Sequence, residues 1–457
     1  MGHRADSVDL LVLGGGIAGL SAAARAVQDG ASVVLVEKAP AVGGSAAYAG
    51  FLWTAPTVET MSEINPGGDP SLGAHVVEGY DDAIDWVRAL GVDVKDPVTV
   101  LGYGRGRQTD MAALISACER IVREAPAGEV LLRASTERLL VRDGRVVGAE
   151  VATGSGERRR IAARWTLLAT GGFGGDPELR ARLIHPLARD LPVRANPYSV
   201  GDGLRLARTA GAAFGIENAG FYGHLVASKA AGAAKDPHEL LELSFFHSEH
   251  SVLLNLDGRR FVDETTGDHI TTLAVLEQPE ARALLVCDQR VHDEWMMKPC
   301  VEGVQPIDRF ALAYRLGGRC AVADDLEEFE YLPPEWGYPG PAARQALEEF
   351  NRQCASGHPE PTRRLDATPL VDPPYYVTEV IPAITMTFSG VLIDDQARAL
   401  DEQGSPIPGL LAAGGDAGGT YFRAYAGGAA TALVFGLQAA GTALGSRVAK
   451  APQLSSL

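Results

Sequence analysis

The chain has 457 residues, 46% hydrophobic and 22% charged, and its 41 Lys and Arg against 58 Asp and Glu leave a formal charge of −17. That length suits two or three domains, and the composition is that of a globular protein rather than a disordered or fibrous one. The acidic balance argues against nucleic acid and anionic membrane as partners.

The first forty residues predict a strand, a glycine turn, a helix and a second strand. Val8 to Leu13 is apolar, Gly14-Gly15-Gly16-Ile17-Ala18-Gly19 follows, Leu20 to Val27 is an alanine-rich helix, and Ala31 to Val36 is apolar again and ends at Glu37. The uncharged run from Leu10 to Ala24 contains three consecutive glycines and has little basic leader beyond Arg4, so it does not read as a signal peptide. Gly102-Tyr103-Gly104-Arg105-Gly106 looks like a second phosphate loop but lacks strand–helix context, and it is read as a surface or cleft loop. From Glu129 to Val151 short β-rich runs turn at Asp143-Gly144, and a strand from Trp165 to Ala169 stops at Thr170-Gly171-Gly172, which together predict a β-meander feeding a central sheet.

The middle of the chain is richer in Pro, aromatic residues and His, with helix-like stretches at Asp324 to Phe329 and Ala342 to Gln353. It reads as an inserted domain, residues 215–384, between two parts of a first domain, 1–214 and 385–457. The β-pattern resumes at Val391, with a strand at Gly409 to Ala413, then Gly414-Gly415-Asp416 and a long Ala/Gly helix. Ala424 to Ser446 carries no charge but is mostly Gly and Ala, so its transfer into lipid would gain little, and a buried helix is expected rather than membrane insertion. Cys118, Cys287, Cys300, Cys320 and Cys354 show no C-x-x-C spacing; they predict reduced thiols and a cytoplasmic setting.

A G-x-G-x-x-G alone is weak evidence, but here it lies between a predicted strand and helix, with Glu37 18 positions after its last glycine. Gly14 makes the tight turn, Gly16 admits a pyrophosphate at the helix N-terminus beside Ala18, and Gly19 allows close helix–strand packing. Glu37, followed by Lys38, is placed to accept from an adenosine ribose. NAD would satisfy the same pattern.

Gly43-Gly44-Ser45-Ala46-Ala47-Tyr48-Ala49-Gly50, followed by Trp53 and Pro56, resembles the flavin-contacting loop of the fumarate reductase and 3-ketosteroid dehydrogenase flavoprotein family. Ala169-Thr170-Gly171-Gly172-Phe173, Gly201-Asp202-Gly203, Asn255 to Glu264 and Pro406 to Asp416 recur in the family in that order. The resemblance implies an α/β, Rossmann-like FAD-binding domain with an inserted α+β cap domain. It implies non-covalent FAD, with Gly415 and Asp416 placing a carboxylate on the ribityl chain. The helix after Gly427-Gly428, with Ala429, points its positive end at the flavin.

Departures from the family narrow the substrate. The His of the fumarate reductases is absent from Pro382 to Gly390, their proton-delivering Arg is absent where Gly267-Asp268-His269 stands, and Tyr425 stands where they carry a second Arg. Fumarate and succinate are therefore not expected. Tyr425-Ala426-Gly427-Gly428-Ala429 resembles the ketosteroid dehydrogenase segment, which implies that the Tyr425 hydroxyl and the Ala429 amide hold a substrate carbonyl; the family has Gly at the Ala429 position. Arg423 offers either a carboxylate anchor or a bridge to an acidic side chain. Tyr222 with His224, His247 with His250, and His269 are weaker catalytic candidates, since a lone His is more often structural. The expected activity is α,β-dehydrogenation of a cyclic ketone or ketosteroid-like carbonyl compound, with hydride passing to flavin N5 and an unspecified electron acceptor. The alternatives are ene-reduction of a small unsaturated acid anchored by Arg423, and a flavin-binding protein without turnover.

Overall fold

The computed structural model describes residues 7–232, 237–298 and 305–445. The chain divides into two units, one of Met1–Ile184, Ala195–Gly220 and Met386–Leu457, the other of His185–Arg194 and Phe221–Thr385.

The first unit centres on a sheet with the strand order Arg398–Leu400, Pro406–Ala412, Arg158–Leu168, Val8–Leu13, Val33–Val36 and Gly128–Leu131. Val8–Leu13 runs parallel to both neighbours, placing Leu11 opposite Val34 on one side and Thr166 on the other. A parallel strand covered on both faces needs apolar residues at successive positions rather than alternate ones, and Leu10, Leu11, Val12 and Leu13 are all buried. Truncating one such leucine to Ala typically costs about 2–5 kcal/mol. Ser135–Arg142 and Arg145–Ala152 form the meander with Arg158–Leu168. Its two-residue turn places Asp143 at φ 49 and Gly144 at φ 74, the left-handed pair that matches the twist of the flanking strands.

The first helix spans Ile17–Gln28, beginning one residue after Gly16 and earlier than Leu20; Gly19, a poor helix former, masks that first turn in the sequence. The last helix, Gly428–Leu444, is buried along nearly its whole length. A Cβ on Gly436 would lie 2.4 Å from the Ala18 carbonyl oxygen and 2.3 Å from Ser21 Oγ, so small residues let the two helices touch. The Gly/Ala content thus serves helix packing, and among the described residues no helix is long and apolar enough to cross a membrane.

The expected loop at Gly102 to Gly106 is instead mostly strand. Gly104–Thr109 pairs with Phe51–Thr54 and Val94–Val100 in an antiparallel three-stranded sheet. Cβ atoms on Gly104 and Gly106 would lie 2.6 and 2.8 Å from Trp53, so these glycines seat the indole rather than a phosphate.

The second unit is α+β. Tyr375–Thr387, whose last two residues belong to the first unit, is its long strand, flanked in order by Phe221–Ala227 and by Ala283–Cys287 followed by Val252–Leu254; Cys320–Ala323 also pairs with it. The helices Asp268–Leu276 and Gly340–Ser356 belong to this unit. Its core includes Leu254, Leu284, Val286, Phe329, Trp336 and Phe350. The stretch Asp324 to Phe329 is not an α-helix: a 3₁₀ turn covers Glu327–Tyr331, where neighbouring Glu side chains repel and Pro333-Pro334 blocks extension. The units change at Gly220 rather than at 214, because Gly215 donates to the Gly390 carbonyl at 2.7 Å. His185–Arg194 leaves the first unit because Val193 bridges to Ile384, a distant pairing that no local pattern signals. Cys118, Cys287, Cys320 and Cys354 are free thiols, and Cys300 lies outside the described residues.

Candidate active site

At the end of the first strand the chain turns through Gly14 at φ 113, where a Cβ would lie 2.1 Å from the Ala169 carbonyl oxygen. Gly19 brings the helix onto that turn, since a Cβ there would meet the Gly14 carbonyl oxygen at 2.0 Å. Gly16 caps the helix with no side-chain hydrogen bond, and nothing lies within 4 Å of where its Cβ would be. The first bond inside the helix runs from Leu20 N–H to the Gly16 carbonyl at 2.8 Å. The amides of Ile17, Ala18 and Gly19 therefore have no acceptor within the helix, and an open cradle of N–H groups at a positive helix end fits a pyrophosphate.

Glu37 is buried beside this cradle. Its Oε2 accepts from Gly15 N–H and its Oε1 from Ala39 N–H, both at 2.7 Å. Each oxygen keeps a lone pair for a ribose hydroxyl. Gly43 donates to the Gly15 carbonyl at 2.8 Å, and a Cβ on Gly44, at φ 53, would lie 3.1 Å from the Gly16 Cα. Ser45 Oγ accepts from Asn196 N–H at 3.2 Å, and Ala46 is buried against the first core. Gly50 accepts from Thr109 N–H at 3.0 Å, one residue before the strand Phe51–Thr54 of the small sheet. The Lys38 ammonium pairs with Asp202 at 2.5 Å.

Asp416 ends the short turn Gly414–Asp416. It is fully buried, and its carboxylate accepts from Thr170 N–H at 2.5 Å, Thr170 Oγ1 at 2.9 Å and Gly172 N–H at 3.0 Å. Thr170 Oγ1 in turn accepts from Gly203 N–H at 2.9 Å. The carboxylate thus locks the Ala169-Thr170-Gly171 turn, and burial pushes its pKa up to about 6 despite those donors. Gly415 is needed for the same approach, because its Cβ would lie 2.7 Å from the Gly171 backbone.

Tyr425 lies in the loop before the last helix, and Ala429 in the first turn of that helix. Tyr425 is buried, with its ring edge-on to Trp53 at 5.3 Å between centroids and beside Tyr421 at 5.6 Å and Phe388 at 6.2 Å. Tyr103 donates to the Tyr425 carbonyl at 2.7 Å. Gly427, at φ 88, must be glycine, because a Cβ would fall 1.6 Å from the Trp53 carbonyl oxygen. The Tyr425 hydroxyl lies 3.2 Å from where a Gly428 Cβ would stand, at the first turn of Gly428–Leu444. That helix makes its first internal bond from Thr431 N–H to the Gly427 carbonyl, leaving Ala429 N–H without an acceptor in the helix. A small cavity opens here, lined among others by Met386, Thr387, Phe388, Tyr421, Gly428 and Thr431. Thr387 Oγ1 is buried beside it with no partner in the described residues, which fits a polar ligand edge at this point.

Arg423 is exposed, sits at φ 50 and donates its N–H to the Ala219 carbonyl at 2.7 Å.

In the second unit, the structure groups three of the five remaining candidates. Tyr222 and His224, two apart on Phe221–Ala227, share one face. The Tyr222 hydroxyl is 3.1 Å from His224 Nε2, which is 2.9 Å from Asp268 Oδ2, and the His269 ring lies 6.5 Å from that of Tyr222. Burial, with Arg194, pulls the His224 pKa down, and burial takes His269 down to about 4 and His247 to about 3. Burial would raise the Asp268 carboxyl, but the charge and hydrogen bond of His224 outweigh it and the pKa is lowered. The arrangement is therefore a neutral imidazole donating to an ionised carboxylate. His250 stands apart from this group: its Nδ1 is 2.7 Å from Asp366 Oδ2 and its ring stacks on Trp295 at 3.7 Å. Asp268 itself escaped the sequence reading; its only signal was a carboxylate directly after Gly267, at the start of a helix. Arg194, buried over the Phe246 ring and donating to Ser244 Oγ at 2.7 Å, gave no signal at all.

A model of the FAD binding domain family matches residues 9–432. The chain is 28% identical over 443 residues to a fumarate reductase (cytochrome) of Shewanella frigidimarina, covering 91% of this chain and 73% of that one. It is 25% identical over 456 residues to a vinyl phenol reductase of Lactiplantibacillus plantarum, covering 91% and 90%. In fold it resembles the 3-ketosteroid Δ1-dehydrogenase of Sterolibacterium denitrificans, with a TM-score of 0.78 at 18% identity over 97% of this chain and 100% of the other.

Proposed function

The chain belongs to the FAD binding domain family, and on that premise we propose that it moves hydrogen across a carbon–carbon bond adjacent to a carbonyl, with Tyr425 and the Ala429 amide as donors to the carbonyl oxygen. At the coarser level it is an FAD-dependent dehydrogenase or reductase acting on carbon–carbon double bonds, as its homologues are. This disposes of the flavin-binding protein without turnover. FAD supplies the hydride acceptor or donor when bound. The cradle at Gly16, the buried Glu37 carboxylate and the orphan Thr387 hydroxyl are the residues that fit it.

One observation carries the proposal: the Tyr425 hydroxyl lies 3.2 Å from where a Gly428 Cβ would stand, at the first turn of Gly428–Leu444, in which the next residue, Ala429, has an N–H with no acceptor in the helix. Two neutral donors at the positive end of a 17-residue helix stabilise the negative charge that develops on a carbonyl oxygen when the neighbouring C–H is removed. Tyr425 is held for this task by Trp53, Tyr421 and Phe388. The surrounding lining of Met386, Phe388 and Tyr421 is apolar or neutral and suits a ketone better than a dicarboxylate.

The favoured substrate is a cyclic ketone or ketosteroid-like carbonyl compound. The reverse direction, reduction of a conjugated double bond, uses the same two donors, and two of the relatives are named for reductions. The relative named for a vinyl phenol shows that a family member can take a substrate whose name carries no carboxylate. Anaerobic mixing of the yellow protein with saturated cyclic ketones should bleach the flavin band, and Tyr425→Phe should slow the bleaching with FAD content unchanged. Equal rates in the two proteins would overturn the assignment.

A further inference from the structure

We propose that Tyr103 is a positioning residue for Tyr425: its hydroxyl, presented by the glycine-rich hairpin, holds the Tyr425 carbonyl and so sets the direction of the Tyr425 hydroxyl that donates to a substrate carbonyl. The proposal rests on the carbonyl reading above, and it gives Gly102-Tyr103-Gly104-Arg105-Gly106 a task other than holding phosphate. All the residues concerned belong to the first unit.

Three successive carbonyls lead into the last helix, and each accepts from a hydroxyl. Tyr103 donates to that of Tyr425 at 2.7 Å, Tyr421 to that of Ala426 at 2.7 Å, and Thr431 to that of Gly427 at 3.0 Å. Tyr421 and Thr431 are five and four residues from the carbonyls they hold, so they move with the segment itself. Tyr103 is 322 residues away, and it alone of the three ties the segment to another part of the unit. The rings of Trp53, Tyr421 and Phe388 limit where the Tyr425 side chain can go. The directional bond from Tyr103 fixes the peptide plane from which that side chain starts.

The hairpin is built to present this hydroxyl. Between Val94–Val100 and Gly104–Thr109 the chain turns through Leu101 at φ 51 and Gly102 at φ 73. A leucine in left-handed backbone is costly, and such a conformation persists only where its surroundings hold it. Tyr103 follows directly, with its ring tilted against Trp53 at 6.2 Å between centroids, and Trp53 is in turn edge-on to Tyr425 at 5.3 Å. A Cβ on Gly104 would lie 2.6 Å from the Trp53 ring, so the glycine lets the indole lie against the hairpin and leaves the Tyr103 hydroxyl within reach of the Tyr425 carbonyl.

Tyr103→Phe keeps the ring on Trp53 and deletes only the hydroxyl, so folding and FAD content should hold. A misplacement of about 1 Å costs about 10²-fold, and in anaerobic bleaching by a reactive cyclic ketone kcat should fall by about 10- to 10²-fold with KM little moved. Because Tyr103 acts through Tyr425, adding Tyr103→Phe to Tyr425→Phe should change the rate by less than about twofold. A readout without turnover is 4-nitrophenol, whose ionised oxygen resembles that of an enolate and whose visible band reports its ionisation. The oxidised holoenzyme should favour the phenolate; Tyr103→Phe and Tyr425→Phe should each weaken that preference, and the double variant should weaken it no more than Tyr425→Phe does. Wild-type rates or wild-type phenolate binding in Tyr103→Phe, with Tyr425→Phe slow, would overturn the proposal and leave the carbonyl reading standing. Losses that multiply in the double variant would also overturn it, since Tyr103 would then act independently of Tyr425. If Tyr425→Phe bleaches at the wild-type rate, the carbonyl reading itself fails and this role of Tyr103 falls with it.

Discussion

Gly428→Ala separates the chemistry from the fold. Gly428 has no left-handed backbone to protect, and as the first residue of a helix it accepts Ala without conformational strain. The added Cβ would lie 2.4 Å from Met386 Sδ and 3.2 Å from the Tyr425 hydroxyl. The Met386 thioether is the far end of a flexible side chain and can swing away at small cost. The Tyr425 hydroxyl is tighter than ordinary contact, and moving it takes it from the Ala429 amide with which it is to share an oxyanion. The expected stability loss is about 1 kcal/mol or less. The expected activity loss approaches that of removing one oxyanion donor, about 10²-fold or 3 kcal/mol. Calorimetry and the ratio of flavin to protein absorbance measure the first, and anaerobic bleaching by a reactive ketone measures the second. Gly427→Ala supplies the contrast, since its Cβ would fall 1.6 Å from the Trp53 carbonyl oxygen and should compromise folding itself. A Gly428→Ala protein that bleaches at the wild-type rate would refute the placement of the donor pair.

Acid precipitation should release FAD into the supernatant, and colour retained in the pellet would refute non-covalent binding. Fumarate should not oxidise reduced dye at ordinary enzyme rates, because Met386, Gly267 and Tyr425 stand where cationic or imidazole side chains are expected of a fumarate reductase; brisk oxidation would contradict this. The second unit should weaken in acid: burial lowers His269 from 6.5 to about 4, so its stabilising contribution is present above pH 6.5 and is lost as pH falls, by about 3 kcal/mol at 1.36 kcal/mol per pH unit. Asp416, raised to about 6, works with the opposite sign in the first unit, where stability is lost as pH rises through that value. Hydrogen exchange should therefore show residues 221–298 losing protection on acidification before residues 7–54, and simultaneous loss would count against it.

The parts of this molecule legible in its sequence are those governed by local rules. Gly14, Gly16 and Gly19 announce themselves because each answers a short-range steric demand, and Glu37 follows at a fixed distance along one strand. Asp143-Gly144 is legible because both turn positions need left-handed backbone. What was not legible depends on partners far along the chain. Gly104 and Gly106 look like a phosphate loop until Trp53 is seen against them. Lys38 looks like a ribose neighbour until Asp202, 164 residues on, takes its ammonium. Asp416 carries the right residue type at the right place, but whether its carboxylate faces a ligand or the Thr170 turn is decided by a neighbouring strand. Asp268 lies 44 positions beyond its partner His224, and only the packing of helix on strand joins them.

The most direct test of the central claim is the rate of anaerobic flavin bleaching by a reactive cyclic ketone in wild type and Tyr425→Phe, with FAD content and melting temperature matched. Loss of one oxyanion donor predicts a fall of about 10²–10³-fold with no change in either control. Equal rates would contradict it, because the hydroxyl over the Gly428 turn would then do nothing for the reacting carbonyl.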